Sequence, residues 1–264
     1  MPNTLLIVVN VHTINNYNQE DAGMADAITL GDPAINLQIT KQHATVVVEP
    51  TSQMGGTYDT AVISTLFVIN NPGEAREVEF IVPYETESFS ASVAVISAGA
   101  EAYHNRRDSL SKISGNLERI KPYLGKLQLP AEEYDTQKEL RAIASRFRAG
   151  AVTVPAGQSS VRIQVSAIVE PTEVNGVKTF AFRAYAPLPG FAVSTSGRTP
   201  LSIAARFKGD ETIHPQITKS AWSNPYGDPV GAPAIELPAQ QHGEDTIFYW
   251  KWQYDPVVDF EYHY

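Results

Sequence analysis

The chain contains no cysteine. Disulfides, cysteine-ligated zinc, iron–sulfur clusters and thiol nucleophiles are therefore excluded. It is poor in charge, with 19% charged residues, and no apolar run approaches the roughly 18 residues of a membrane helix. The run Leu5–Val9 has no basic residue before it and passes into the alternation Asn10, Val11, His12. That pattern predicts a buried strand rather than a signal peptide, and with it a mature, unanchored chain. There is no Asn-x-Ser/Thr sequon, no Gly-x-Gly-x-x-Gly or Walker glycine loop and no Gly-x-Ser-x-Gly elbow.

What the chain does have is strand rhythm. With 264 residues and 43% hydrophobic content it can bury a sizeable core, and a single domain over 1–264 is expected. Strands are predicted at Ala34–Ile39, Thr45–Glu49, Thr60–Asn70, Arg76–Val82 and Phe89–Val95, and again at Val152–Val154, Val161–Val169, Val177–Tyr185, Leu201–Phe207 and Thr246–Tyr254. Asn70-Asn71-Pro72-Gly73 and Asn175-Gly176 are turn signals, the second of the type I′ hairpin kind. The rhythm changes once. Leu110, Ile113, Leu117, Ile120 and Leu124, then Tyr134, Leu140, Ile143 and Phe147, recur at helical spacings, which predicts an inserted helical hairpin at about 103–148. Residues 209–243, rich in Pro, Gly and Ser, read as one long loop. The expected fold is mainly β: an antiparallel two-sheet β-sandwich, jelly-roll or immunoglobulin-like, carrying this hairpin.

Charge is uneven. Residues 100–150 hold 10 of the 20 Lys and Arg against 7 of the 29 Asp and Glu, a local balance of +3 in a chain of net −9, which leaves −12 elsewhere. An acidic body gives no nucleic-acid groove, since phosphate binding needs clustered cations. The basic insertion, with Arg141, Arg146 and Arg148, could instead meet an acidic partner or a second copy.

Catalytic patterns are weak. Ser109-Leu110-Ser111-Lys112 matches Ser-x-x-Lys without its companion triplets, and reads as a capped helix start. The histidines His12, His43, His104, His214, His242 and His263 lack His-x-His or His-x-x-x-His spacing. Asp210-Glu211 and Glu244-Asp245 read as turn charges. No catalytic residue, metal or cofactor is expected. The aromatic C-terminal pattern puts Phe248, Trp250, Trp252 and Tyr254 on one face, expected in the core, and Tyr249 and Lys251 on the other. If exposed, that second face, joined by Trp222 and Tyr226 of the long loop, is a candidate interaction surface.

The stretch from Ala44 to Val95, with Ala44-Thr-Val-Val-Val-Glu49, Phe67-Val-Ile-Asn-Asn-Pro-Gly-Glu74 and Val78-Glu-Phe-Ile-Val-Pro83, resembles the immunoglobulin-like β-sandwich pattern of extracellular structural domains, including the N-terminal domains of inter-alpha-trypsin-type proteins. The resemblance covers about a fifth of the chain and implies a fold type only. The architecture is similar to jelly-roll viral coat proteins. The functional expectation is a non-enzymatic structural subunit that assembles with itself or with a partner structural protein, most concretely a capsid protein, at a virion or extracellular surface. The alternative is a glycan- or protein-binding module.

Overall fold

A computed structural model describes residues 32–97, 108–127, 129, 131–185, 191–193, 201–209, 212–223, 235–252 and 257–264. The expected N-terminal strand at Leu5–Val9 lies outside them. The described strands are β1 (Asp32–Glu49), β2 (Asp59–Asn71), β3 (Arg76–Pro83), β4 (Phe89–Ser97), β5 (Asp108–Ser109), β6 (Ser111–Lys112), β7 (Phe147–Val154), β8 (Gly157–Val169), β9 (Pro171–Val174), β10 (Val177–Tyr185), β11 (Phe191–Val193), β12 (Leu201–Phe207), β13 (Gln216–Ser223), β14 (Ile235–Glu236), β15 (Gln240–His242), β16 (Asp245–Trp252) and β17 (Val257–His263). The protein is mainly β, as the alternation predicts.

These strands form three sheets. The largest has nine strands in the order β15-β16-β12-β1-β2-β8-β4-β5, with β11 beside β1; a second runs β14-β13-β17-β10-β9, and a third β3-β7-β6. The large sheet is mixed, because β1 runs parallel to both β12 and β11. The expectation of antiparallel pairing throughout is corrected here. Turn signals govern only neighbours in sequence, and β12 reaches β1 across a long excursion of chain.

The two strands expected at 34–39 and 45–49 are one. The polar stretch between them stays paired to β2 through a register shift at Thr40, whose hydroxyl donates to the Val68 carbonyl at 3.2 Å. This is a β-bulge, which absorbs one residue without ending the strand. At Asn175-Gly176 both residues have positive φ, 52° and 81°, as a type I′ turn requires. The hairpin joins β9 to β10, so the chain changes sheet after Val169.

The helical hairpin is not formed. Among the described residues only Gln137–Ile143 is α-helix (α1), started by a capping box in which Thr136 accepts from the Glu139 backbone N–H and the Glu139 side chain accepts from that of Thr136. Glu118–Leu127 is a 3-10 segment and Ser111–Lys112 a strand. Gly115 takes a φ of +80°, outside helical geometry, and Pro122 cannot donate a helical hydrogen bond. The apolar spacing nonetheless reports burial correctly, since Leu110, Leu117, Ile120, Leu124, Leu140, Ile143 and Phe147 are all buried. Residues 209–243 are likewise not one loop, for they contain β13, β14 and β15. β13 was hidden because its core position is polar: Ser220 is buried and donates to the Leu237 carbonyl at 3.0 Å.

One contiguous core joins the sheets. Phe207 of β12 is its aromatic centre, with ring centroids 5.1 Å from Tyr262, 5.2 Å from Phe260, 5.9 Å from Phe248 and 6.1 Å from Phe182. Three of those contacts cross from the large sheet to the five-stranded one. Tilted and edge-on pairs of this kind add about 0.5–1.5 kcal/mol each beyond burial. Phe248 is core, as its alternation predicts, and Phe260 and Tyr262 join it there; Tyr254 of the same expected face lies outside the described residues.

Candidate interaction surface

Strand β2 alternates buried and half-buried residues along all 13 positions, and this fixes which side of the large sheet faces outward. Register extends the outward side across the sheet. One row runs Tyr249, Ala204, Thr45, Ser64, Gln164, Ser92 over β16, β12, β1, β2, β8 and β4, every member half-buried and uncharged. The adjacent row, Ile247, Arg206, Val47, Val62, Ser166, Ser90, holds one charge. That charge, Arg206, is paired with Asp245 at 2.6 Å. Apart from Arg206 these two rows are uncharged, while the rows on either side carry charge: Glu49 paired with Lys208 beyond one, and exposed Arg162, opposite Leu66, beyond the other.

The turn from β1 to β2 gives the face a projecting end. Pro50–Tyr58 contains no charged residue. Thr51–Met54 makes a 3-10 turn closed by Gly55 at φ +95°, with the Gln53 N–H donating to the Pro50 carbonyl at 3.1 Å and that of Gly56 to Thr51 at 2.9 Å. A Cβ on Gly56 would stand 2.8 Å from the Thr51 carbonyl oxygen, so this close return requires glycine. The tip leaves Met54 71% and Tyr58 39% exposed.

Asp59 anchors that turn. Its carboxylate is fully buried. Oδ1 accepts from the Ser52 backbone N–H at 2.9 Å and hydroxyl at 2.6 Å, while Oδ2 accepts from the Tyr262 and Tyr264 hydroxyls at 2.8 and 2.9 Å. Four donors fill the capacity of a carboxylate. Burial pushes the Tyr262 and Tyr264 phenols far above their usual range, and the Asp59 charge adds to it. Neither phenol ionises near neutral pH, and Asp59 has no lone pair left for a substrate proton. The cluster is a clamp tying the tip to β17.

The candidates from sequence are scattered by the fold. Arg141 is exposed on α1 and Arg146 is half-buried just before β7. Arg148 is not a surface cation: it is 6% exposed, donates to the carbonyls of Ser145, Phe147, Glu87 and Phe89 at 2.6–3.2 Å, and lies 4.2 Å over the Phe89 ring. It lies on the opposite face of β7 from Phe147 and is buried there beneath the Glu87–Phe89 segment. Other cations of the insertion are also spent internally, Arg119 on Glu79 and Lys121 on Glu118 and Asp135. Trp222 lies in β13 opposite Val258, in the five-stranded sheet, whereas Tyr249 and Lys251 lie in β16 of the large one. Tyr226 is outside the described residues. The proposed aromatic group therefore does not converge on one sheet.

Ser109 and Ser111–Lys112 are in short strands, so the Ser-x-x-Lys spacing does not stack Ser and Lys on a helix turn, nor cap a helix. Among the described residues no three His, Asp or Glu side chains converge as a metal site would need. No helix among them is long and apolar enough to cross a membrane. A depression of about 220 Å³ runs along Ile217–Ala221 beside Glu236, below the usual range of small-molecule sites. Sequence reasoning missed the tip and its Asp59 anchor. The available signal was nine uncharged residues with a Gly-Gly pair between Met54 and Tyr58.

No protein-family model and no curated protein matches the chain. Among solved structures it is similar to a Legionella pneumophila protein to which nutrient binding is provisionally ascribed, with TM-score 0.38 and 7% identity over 89% of this chain and 68% of that one. It is also similar to an M1 zinc metallopeptidase of Deinococcus radiodurans, with TM-score 0.32 and 8% identity over 88% of this chain. The chain spans 43% of that peptidase. Neither is described as an immunoglobulin-like or inter-alpha-trypsin domain, and likeness at this level carries no argument about fold or function.

Proposed function

We propose that this protein is a non-enzymatic structural subunit that associates with copies of itself or with a partner structural protein, a capsid subunit being its most concrete form. One observation carries the reading: a row of six uncharged, half-buried side chains crosses six strands on the outward face of the large sheet. A row so short of charge loses little hydration when covered. Aromatic contacts between the nine- and five-stranded sheets support a sandwich architecture, which presents such a face rigidly.

The test is solution mass by light scattering after size exclusion, across protein and salt concentrations. Mass should rise with concentration. Because Arg148 is buried and several cations of the insertion are paired internally, the contact is expected on uncharged surface. Salt should then preserve or strengthen association by screening repulsion between copies of net −9. Association abolished by salt would instead place the contact on Arg141 and Arg146. A monomer at every concentration up to about 1 mM would overturn self-assembly.

A further inference from the structure

β10 pairs with β17 from Thr179 to Tyr185, but its other neighbour, β9, ends at Pro171 opposite Phe180. Three residues further on, a side chain stands where a strand would: Glu85 Oε1 accepts from the Arg183 backbone N–H at 3.0 Å. Glu85 belongs to the connector 84–88 between β3 and β4, so this bond ties that connector to the five-stranded sheet. The connector is fastened to the other two sheets as well. The Glu87 carbonyl accepts from Arg148 of β7 at 3.0 Å, the Ser88 carbonyl accepts from the Ile168 N–H of β8 at 3.2 Å, and the Tyr84 N–H donates to the Arg146 carbonyl at 2.8 Å. The Glu85 charge is poorly matched in this setting. The Arg183 guanidinium is engaged by Asp259, Nε to Oδ1 at 2.7 Å and Nη2 to Oδ2 at 3.4 Å, and its Nε stands 4.0 Å from Glu85 Oε2. Among the described residues the charged groups facing Glu85 are Arg183 of β10, Asp259 of β17 and Arg146 just before β7, with the buried Tyr84 phenol beside it. Burial raises the Glu85 carboxyl above its ordinary value; Arg183 opposes this, and the Asp259 charge adds to it.

We infer that the connector 84–88 is an acid-tightened latch, seated on the open edge of β10 while Glu85 is protonated and loosened when Glu85 ionises. The neutral carboxyl keeps a carbonyl oxygen to accept from the Arg183 N–H and carries no charge for burial to penalise. The carboxylate recovers hydration by withdrawing, which bares that N–H to water. A group whose pKa is raised by folding adds stability that is complete below its unfolded value, here 4.5, and that is lost as pH rises through the folded value. The latch is independent of the self-assembly reading, because every group in it belongs to one copy.

The experiment compares the full chain with Glu85→Gln, which keeps the acceptor and lacks the charge. Urea unfolding of both from about pH 5 to pH 8 removes, in the ratio of their unfolding constants, the titrations they share. Over that range the constant of the parent should rise by about threefold or more relative to that of Glu85→Gln. Hydrogen exchange, corrected for the intrinsic pH dependence of the rate, locates the change: the Arg183 amide of the parent should lose protection by a similar factor, while that of Glu85→Gln stays protected throughout. A ratio that is flat, or that falls with pH, overturns the inference. So does a Glu85→Gln chain that is less stable than the parent at pH 8 or fails to fold, since the carboxylate would then be anchored by its charge. A ratio that rises while the Arg183 amide keeps its protection overturns it too, by placing the response away from the β10 edge.

Discussion

Asp59→Ala removes the acceptor for four hydrogen bonds at a fully buried site. Hydrogen bonds to a charged group are worth about 1.5–3 kcal/mol each. Against that, the mutant no longer carries the several kcal/mol of desolvation that a buried carboxylate costs. The Tyr262 hydroxyl, buried beside Phe180, is left without its acceptor at a further cost of about 1–3 kcal/mol. The balance is a loss of about 3–5 kcal/mol, read as a lower urea midpoint at unchanged slope. Asp59→Asn keeps the shape and one acceptor, and its amide can donate to the two phenols, so about 1–2 kcal/mol is expected. A double-mutant cycle of Asp59→Asn with Tyr264→Phe should show coupling, because the two share one bond. Hydrogen exchange supplies a local readout: the Gly56 amide should exchange faster in Asp59→Ala beyond what the global loss explains. A loss below about 1 kcal/mol, or an unchanged Gly56 amide at equal global stability, would refute the clamp.

Arg148→Met strands four carbonyl acceptors and should cost about 3 kcal/mol by thermal or urea unfolding, with Arg148→Lys recovering only part, since an ammonium cannot reproduce the planar fork. Thr65 is fully buried and its hydroxyl has no hydrogen-bond partner, so Thr65→Val should stabilise by about 1 kcal/mol; a destabilisation of that size would show a hidden partner. Gly209→Ala places a Cβ 2.2 Å from the Glu244 carbonyl oxygen and 2.9 Å from that of Ile213, both backbone, and should lower the unfolding midpoint by about 2 kcal/mol. Burial raises the phenols of Tyr84, Tyr123, Tyr262 and Tyr264 above the ordinary value of 10.0. The folded state therefore binds these protons more tightly than the unfolded state. Stability should be complete below pH about 10 and fall as pH rises beyond it. Absorbance titration should show these four ionising only together with unfolding.

Much of the secondary structure was legible because strand periodicity is local. Val78, Phe80 and Val82 alternate in sequence and are all buried in β3, and Asn175-Gly176 dictated its turn through the two positive φ values that few other pairs tolerate. The helical spacing of Leu110 to Leu124 was legible as burial and misleading as geometry. Apolar spacing reports which side chains leave water, while Gly115 and Pro122 decide that the backbone does so as strand and 3-10 turn. β13 escaped notice because its buried Ser220 gains its place from a hydrogen bond to Leu237, which hydropathy does not register.

The sequence by itself determined a cysteine-free, mainly β chain, most of its strands and their buried faces, since these follow from composition and from the two-residue repeat of a pleated backbone. Tertiary structure alone decided which strands meet. The parallel pairing of β1 with β12 joins segments whose partnership no local pattern encodes. Arg148 could be known as buried only once four carbonyls from two segments were seen around it. The clamp brings Asp59 to a tyrosine 203 residues away. Neither residue carries a local sign of the other, because a buried charge is tolerated only through partners that folding alone assembles.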